Sequence, residues 1–424
     1  MLIESVLLHM WNAGLERAFA SRSTDIRNMG KRGRYMEWHP AEAGENHNFK
    51  IPERWLHIYY YEALNILFRF ENALRIFVYV VLKRQFGKEW DLTALGDGIT
   101  IRTETKKRIH QAREHGYLGY DVSSPMLFLN GGELAQIITA DVYWKHFAPF
   151  FRASKAIVLT KLQEIGTVRN SLAHFRPIRQ DDLDLIKQNS KHLLIAVEDC
   201  LVQLTSISDV VPTNSEDIWY KEIKPIGNEY WRTNLLLSRD QQWVRVQLAY
   251  AIPVLKAITS GSRYRNYKVG TLRTAQILNL YPLIRESCIY LSEGSVFPRI
   301  IENETLEAAK TLSVIFSRDT LERRVHEIAS EIREMALKVE AETELIQQDG
   351  LARGELIEVK NISAVLADGA KYWSFNTDSL ITPVADIADV EYWGLRVHFA
   401  SDFISSTSHY PWMPSSVSDE EIPF

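Results

Sequence analysis

Residues 167–178 read TVRNSLAHFRPI. Arg169, Asn170 and His174 bring a cation, an amide and an imidazole within one short stretch. An arginine fork can hold two phosphate oxygens and does not lose its charge. A histidine with an ordinary pKa near 6.5 can pass a proton near neutral pH, which is worth roughly 10²–10⁴ in rate. Together these groups suit phosphodiester cleavage. RNA supplies its own 2′-OH as nucleophile, so no protein nucleophile is needed. The products would be a 2′,3′-cyclic phosphate and a 5′-hydroxyl. One histidine cannot be base and acid in a single step, whereas two copies of the stretch would provide both.

The bare spacing carries little information. Arg34/His39 and Arg108/His115 also have four to six residues between them. The first pair lies in a polar arm without a scaffold, and the second in IRTETKKRIHQAREHG, a charge-dense helix read as a solvated face. The third pair closes an apolar helix carrying Ile157, Val158, Leu162, Ile165 and Val168. Pro177 stops that helix, because proline disfavours helix at and before itself. Its polar groups therefore emerge at the rim of a docked element. On a regular helix, positions five apart lie ~140° round the axis. Asn170 and His174 share a face, and Arg169 and His174 do not. The trio converges only if the helix loosens or if it lines a cleft reached from both sides.

The elements that must position this stretch are mostly helical patterns. Residues 1–22 are read as a helix, and 23–50 as a mildly basic arm with Arg27, Lys31, Arg32 and Arg34. Apolar residues at three- and four-residue steps predict helices over about 53–86, 101–116, 131–151 and 154–174. Another, capped by Asp181, is predicted to about 208. Residues 51–210 are thus expected to form a helical bundle without strands. SISDVVPTNSED (206–217) reads as a linker. Residues 211–350 are expected to form a second helical region, with 302–346 as a long amphipathic helix. Only 351–402 is read as a small β-rich element, and 403–424 as a disordered Ser/Pro-rich tail. The fold expected is mainly α.

Composition sets outer limits. The chain has 424 residues, 46% hydrophobic and 24% charged, which suits a globular protein of several domains. A net charge of −5 restricts any nucleic-acid site to a local basic patch. Cys200 and Cys288 are expected to be buried thiols in a reducing compartment. MLIESVLLHMWNAG lacks the basic start of a signal peptide, and no run approaches 18 uncharged apolar residues. A cytoplasmic setting without membrane contact is expected. Zinc-cluster, HxExxH-like, GxGxxG and Walker patterns are absent, so no cofactor is expected.

RNSLAH, followed by a short turn and a long capped helix, resembles the active-site signature of HEPN domains: Arg, a polar residue, three to five more residues, then His. FRFENALRIFVYVVLKRQFGKEW is similar to the first long helix of HEPN domains of the abortive-infection type. IITADVYWKHFAPFF is compatible with the aromatic-rich helix that precedes the motif helix. The resemblance covers about residues 51–210. It implies a metal-independent endoribonuclease acting as a homodimer, often a toxin or antiviral effector. It also implies Arg169 and His174 as the catalytic pair, with Asn170 as the intervening polar residue. Glu71 and Arg75, four apart on the first long helix, are candidates to support the site. RNA is the partner implied, and the C-terminal half would receive a protein partner or trigger.

Two rival readings stand beside it. Glu358-Val359-Lys360 in a strand-like run, with Asp349 upstream, is an arrangement by which metal-dependent nucleases hold Mg²⁺. Alternatively, the bundle is a non-catalytic module binding RNA, nucleotide or protein. WYKEIKPIGNEYW (219–231) would then offer an aromatic surface, although such aromatics more often lie in a core.

Overall fold

The computed structural model describes residues 42–43, 49–50 and 59–396, except 97, 116–124, 206–215, 261, 295, 297, 301–304, 349, 351, 368, 370–371 and 381–394. Two units divide at Leu56/His57. In the first, strands β1 (Glu42–Ala43) and β2 (Phe49–Lys50) pair antiparallel. The helix read over 1–22, the basic residues of the arm, the Arg34/His39 pair and the tail after 402 lie outside the described residues.

The second unit begins with helices. Helix α1 (Tyr59–Phe86) is buried almost all round from Ala73 to Leu82, as expected of a helix enclosed by its neighbours. Strands β3 (Ala94–Gly96) and β4 (Ile99–Thr100) form a hairpin that leads into α2 (Ile101–His115). This hairpin corrects the expectation of a strand-free bundle. Next come α3 (Gly131–Thr139) and α4 (Asp141–Phe147), divided where Ala140 turns extended. The rings of Phe147 and Phe150 meet Phe77 of α1 edge-on, at 5.7 and 5.1 Å between centroids. Helix α5 (Lys155–Ala173) buries Val158, Leu162, Ile165, Val168 and Leu172. Helix α6 (Gln180–Thr205) starts one residue before the predicted cap, and Asp182 rather than Asp181 accepts the Arg179 N–H at 2.8 Å.

The linker read over 206–217 falls on residues of which 206–215 lie outside the described ones; after them the structure overturns the mainly-α expectation. After α7 (Ile218–Ile223) come β5 (Trp231–Leu237), β6 (Trp243–Ala251), β7 (Val254–Ser260) and β8 (Tyr264–Leu272). Helices α8 (Thr274–Leu280) and α9 (Pro282–Ser287) precede β9 (Cys288–Glu293), β10 (Arg299–Ile300), β11 (Leu306–Glu307) and β12 (Ala309–Ser317). Then follow α10 (Arg318–Arg323), α11 (Val325–Gln348), β13 (Ile357–Val365), β14 (Ser374–Asn376) and β15 (Leu395–Arg396). One sheet runs β15-β9-β12-β6-β5 and another β14-β13-β8-β7, antiparallel except where β15 meets β9. The region expected to be helical over 211–350 is therefore α+β, and the helix read over 302–346 is α11 preceded by strand β12.

The error has a physical source. β12 is buried at six consecutive positions from Leu312 to Ser317 bar none, and a continuous apolar run has the same look in a buried strand and a buried helix. GSRYRNYKVG, read as an interruption between helices, contributes Tyr264 to Gly270 to strand β8, paired with β7. Nor is 351–402 a separate element. β13 pairs along its whole length with β8, from Ile357↔Leu272 to Val365↔Tyr264. The Trp219 and Trp231 side chains, offered as an aromatic surface, are buried at 1% and 0% exposure and belong to the core.

Three contacts lock this half. The Glu342 carboxylate on α11 accepts the N–H groups of Glu355, Leu356 and Ile357 at 3.1, 2.8 and 2.9 Å, fixing the start of β13. Gly354 is required there, since a Cβ would stand 2.4 Å from that carboxylate. Lys310, wholly buried, donates to the carbonyls of Leu272 and Leu380 at 2.7 Å and pairs with Glu293 at 2.8 Å, joining the two sheets. The C-terminal end of α1 reaches the same half. Lys83 donates to the Arg285 carbonyl at 3.1 Å, and Arg84 pairs with Asp319 at 2.6 Å beneath the Trp243 ring. Among the described residues, no helix is long and apolar enough to cross a membrane.

Candidate active site

Arg169 lies on the last full turn of α5, on the side that meets α1. Its Nε stands 3.5 Å from Oε2 of Glu71. The other oxygen of Glu71 is paired with Arg75, one turn further along α1. Arg75 is nearly enclosed. It donates Nε and Nη2 to the Leu129 carbonyl at 3.0 and 2.9 Å, and Nη1 to Asn72 Oδ1 at 3.0 Å. Burial lowers the Arg75 pKa; Glu71 opposes that shift and the Arg169 charge adds to it. Glu71 is thus a shared anion between two cations. The sequence candidates Glu71, Arg75 and Arg169 come together as one chain of contacts.

The Leu129–Glu133 segment against which these groups sit is held from a second side. Asn130 and Glu133 form a capping box at the start of α3. Arg108 of α2 grips the Glu133 carboxylate with Nη1 and Nη2 at 2.8 and 2.6 Å, and the Phe128 carbonyl with Nη1 at 2.5 Å. The face read as solvated therefore carries a structural clamp at Arg108. NGGE, with Asn three residues before Glu, was the available sequence signal for that cap. Asn72, next to Glu71, is buried and donates to the Phe68 carbonyl at 2.8 Å. It was missed because an amide inside an apolar helix pattern looks like any other polar interruption.

His174 ends α5. The helix stays regular up to it, with the His174 N–H bonded to the Asn170 carbonyl at 3.2 Å. Loosening of the helix is therefore not how Arg169 and His174 could meet. Beyond His174 the chain makes a Schellman turn: Phe175 N–H to Leu172 O at 3.0 Å and Arg176 N–H to Ser171 O at 2.8 Å. Phe175 occupies the left-handed position of that turn, at φ 53°, where glycine is usual. Its side chain is 89% exposed, so no burial compensates the strain. His174 and Asn170 are exposed as well, whereas Arg169 is half-buried.

Asn170 also closes one end of a groove of about 710 Å³ between α3 and α5, with Gly131 and Gly132 on its α3 wall. No sequence signal marked this groove, because its walls come from helices whose pairing is a tertiary fact.

The rival carboxylates are placed differently. Glu358 on β13 is ringed by cations, with Lys360 Nζ at 3.3 Å, Arg353 Nε at 3.6 Å and Arg273 Nε at 3.9 Å. Asp349 lies outside the described residues. Among the described residues, no group of three or more His, Cys, Asp or Glu side chains is arranged to hold a metal ion. Cys200 and Cys288 are buried and not joined in a disulfide.

The chain matches no family model, no curated protein and no solved structure.

Proposed function

We propose that the bundle is a metal-independent endoribonuclease of the HEPN type, with Arg169 and His174 as its catalytic pair. The observation that carries this reading is the end of α5. Arg169 is anchored through Nε on a Glu71 that Arg75 holds in place, and its Nη groups are unpaired among the described residues. Five positions on, His174 stands exposed with no side-chain partner among the described residues. Sites of this kind need first-contact groups supported by fixed neighbours, which Glu71, Arg75 and Asn72 provide.

The regular helix sets a condition. Arg169 and His174 leave α5 ~140° apart, so a phosphate gripped by one arginine is served from a cleft that two copies of the chain build. One His174 takes the proton of the 2′-OH as that oxygen bonds to phosphorus. The second His174 gives a proton to the departing 5′-oxygen as its bond to phosphorus breaks. The Arg169 guanidinium neutralises the charge on the non-bridging oxygens, the larger share of such catalysis. Asn170, on the His174 face, hydrogen-bonds substrate. The setting is the cytoplasm, and the role is toxin-like or antiviral, as the sequence resemblance implies. The sheet-bearing half, joined to α1 at Lys83 and Arg84, receives the trigger.

A second reading, a non-catalytic RNA or nucleotide-binding module, is favoured by one observation: Arg169 already has an anionic partner in Glu71. Incubation of wild-type and His174→Ala protein with structured and unstructured RNA in EDTA separates the two. The expected result is cleavage to 2′,3′-cyclic phosphate ends by the wild type only, with at least a hundredfold loss in the variant. Equal cleavage by both proteins removes His174 from the mechanism. Binding without cleavage at any protein concentration establishes the second reading.

A further inference from the structure

Gly166 lies in the interior of α5, where glycine weakens a helix relative to alanine. Its backbone is ordinary helix, and a Cβ built there would meet no atom within 4 Å. Neither conformation nor packing calls for a glycine. What its missing side chain does is leave open the groove between α3 and α5. Gly131 and Gly132 line the same groove from α3, together with Gln136, Gln163 and Asn170, three residues with amide side chains.

We propose that this groove is the base-recognition subsite of the nuclease, taking one nucleoside of single-stranded RNA beside the scissile phosphate. The inference rests on the endoribonuclease reading and supplies its missing specificity element. Three features of the groove choose the occupant. Its volume of about 710 Å³ lies within the roughly 300–1,000 Å³ usual for small-ligand sites. Its lining holds no charged side chain among the described residues, so it suits the neutral base and sugar rather than a phosphate. Amides carry both donors and acceptors, which is what the edge of an unpaired base requires. Placement agrees with chemistry. Asn170 at the groove's end is one helical turn, ~6 Å of rise, from His174, and Arg169 beside it takes the phosphate that the groove cannot.

The test measures binding apart from cleavage. Uncleavable 2′-O-methyl pentanucleotides of A, C, G and U are titrated against wild-type, Gly166→Ala and Gly166→Leu protein by fluorescence anisotropy. Circular dichroism and sedimentation are run on each protein. Wild type is expected to prefer one base by at least threefold. Gly166→Leu is expected to bind at least tenfold more weakly and to lose the preference. Gly166→Ala is the control that cannot be dismissed as unfolding. Its Tm is expected to rise by about 1–2 °C while affinity falls about threefold. Unchanged affinity and preference in Gly166→Leu overturns the subsite, as does a wild type that binds none of the four. A Gly166→Leu protein that changes only its oligomeric state overturns it too, and makes the groove a seat for a second copy. Failure here with His174→Ala still inactive leaves the nuclease reading standing; activity in His174→Ala removes that reading whatever the groove binds.

Discussion

At the residue scale, the informative feature is the price of the α5 terminus in backbone strain. A left-handed conformation disfavours any residue with a Cβ by roughly 1–2 kcal/mol, and Phe175 adopts it with its ring in solvent. No packing of the ring offsets that cost, since Phe175 is among the most exposed apolar residues described. Phe175→Gly is therefore expected to stabilise the protein by about 0.5–1 kcal/mol, allowing for the greater freedom of glycine in the unfolded chain. The measurement is the urea midpoint at constant slope. A lower midpoint would mean that the ring makes contacts that its exposure denies. The residues of the motif were legible in the chain, because types and spacing suffice to mark them. The partners of Arg169 were only half legible: Glu71 and Arg75 are a common i,i+4 pair, and nothing in the sequence said that Glu71 also faces α5.

At the element scale, the second half shows how one side chain sets the start of a strand. Glu342 of α11 accepts three consecutive backbone N–H groups at the entry to β13. Its removal would leave those buried donors without a partner. Glu342→Ala is expected to cost about 3–4 kcal/mol and to free β13 from β8. Amide hydrogen exchange over 357–365 should accelerate selectively if this is so. Uniform protection across that strand would refute it. The helices of the first half were readable because each keeps an apolar stripe at three- and four-residue steps. Strand β12 was not, since it is buried on both faces and presents no alternation to read, whereas β5 and β6 do alternate along WRTNLLL and WVRVQLAYA.

At the scale of the whole molecule, buried acidic protons set an alkaline limit. Burial pushes the Cys200 thiol up to about 12, with Asp240 adding to the shift. Burial likewise pushes the Tyr250 and Tyr281 hydroxyls above their usual value. The folded chain keeps these protons where the unfolded chain loses them. Unfolding therefore releases protons, and stability falls as pH rises. The fall begins near pH 9, the ordinary value of the thiol, and continues through the tyrosine range. Thermal unfolding scanned from pH 8 to 11 is expected to show Tm declining steadily, with a later onset in Cys200→Ala. A Tm independent of pH over that range would contradict the buried placement of all three groups.

Local chemistry was determined by the amino-acid sequence alone. It marked the Arg169–His174 stretch, the helices on either side of it and the proline between them, while the cap expected at Asp181 falls to Asp182. Each of these depends on neighbours within one or two turns. Only the tertiary structure decided what depends on distant parts of the chain. It placed Glu71 between two arginines and clamped α3 from two sides. It opened a groove at Gly166 and assembled 231–365 into sheets. The physical reason is the same in each case: a sheet, a shared carboxylate and a groove are defined by which distant surfaces meet, and a local period does not say which partner a surface will find.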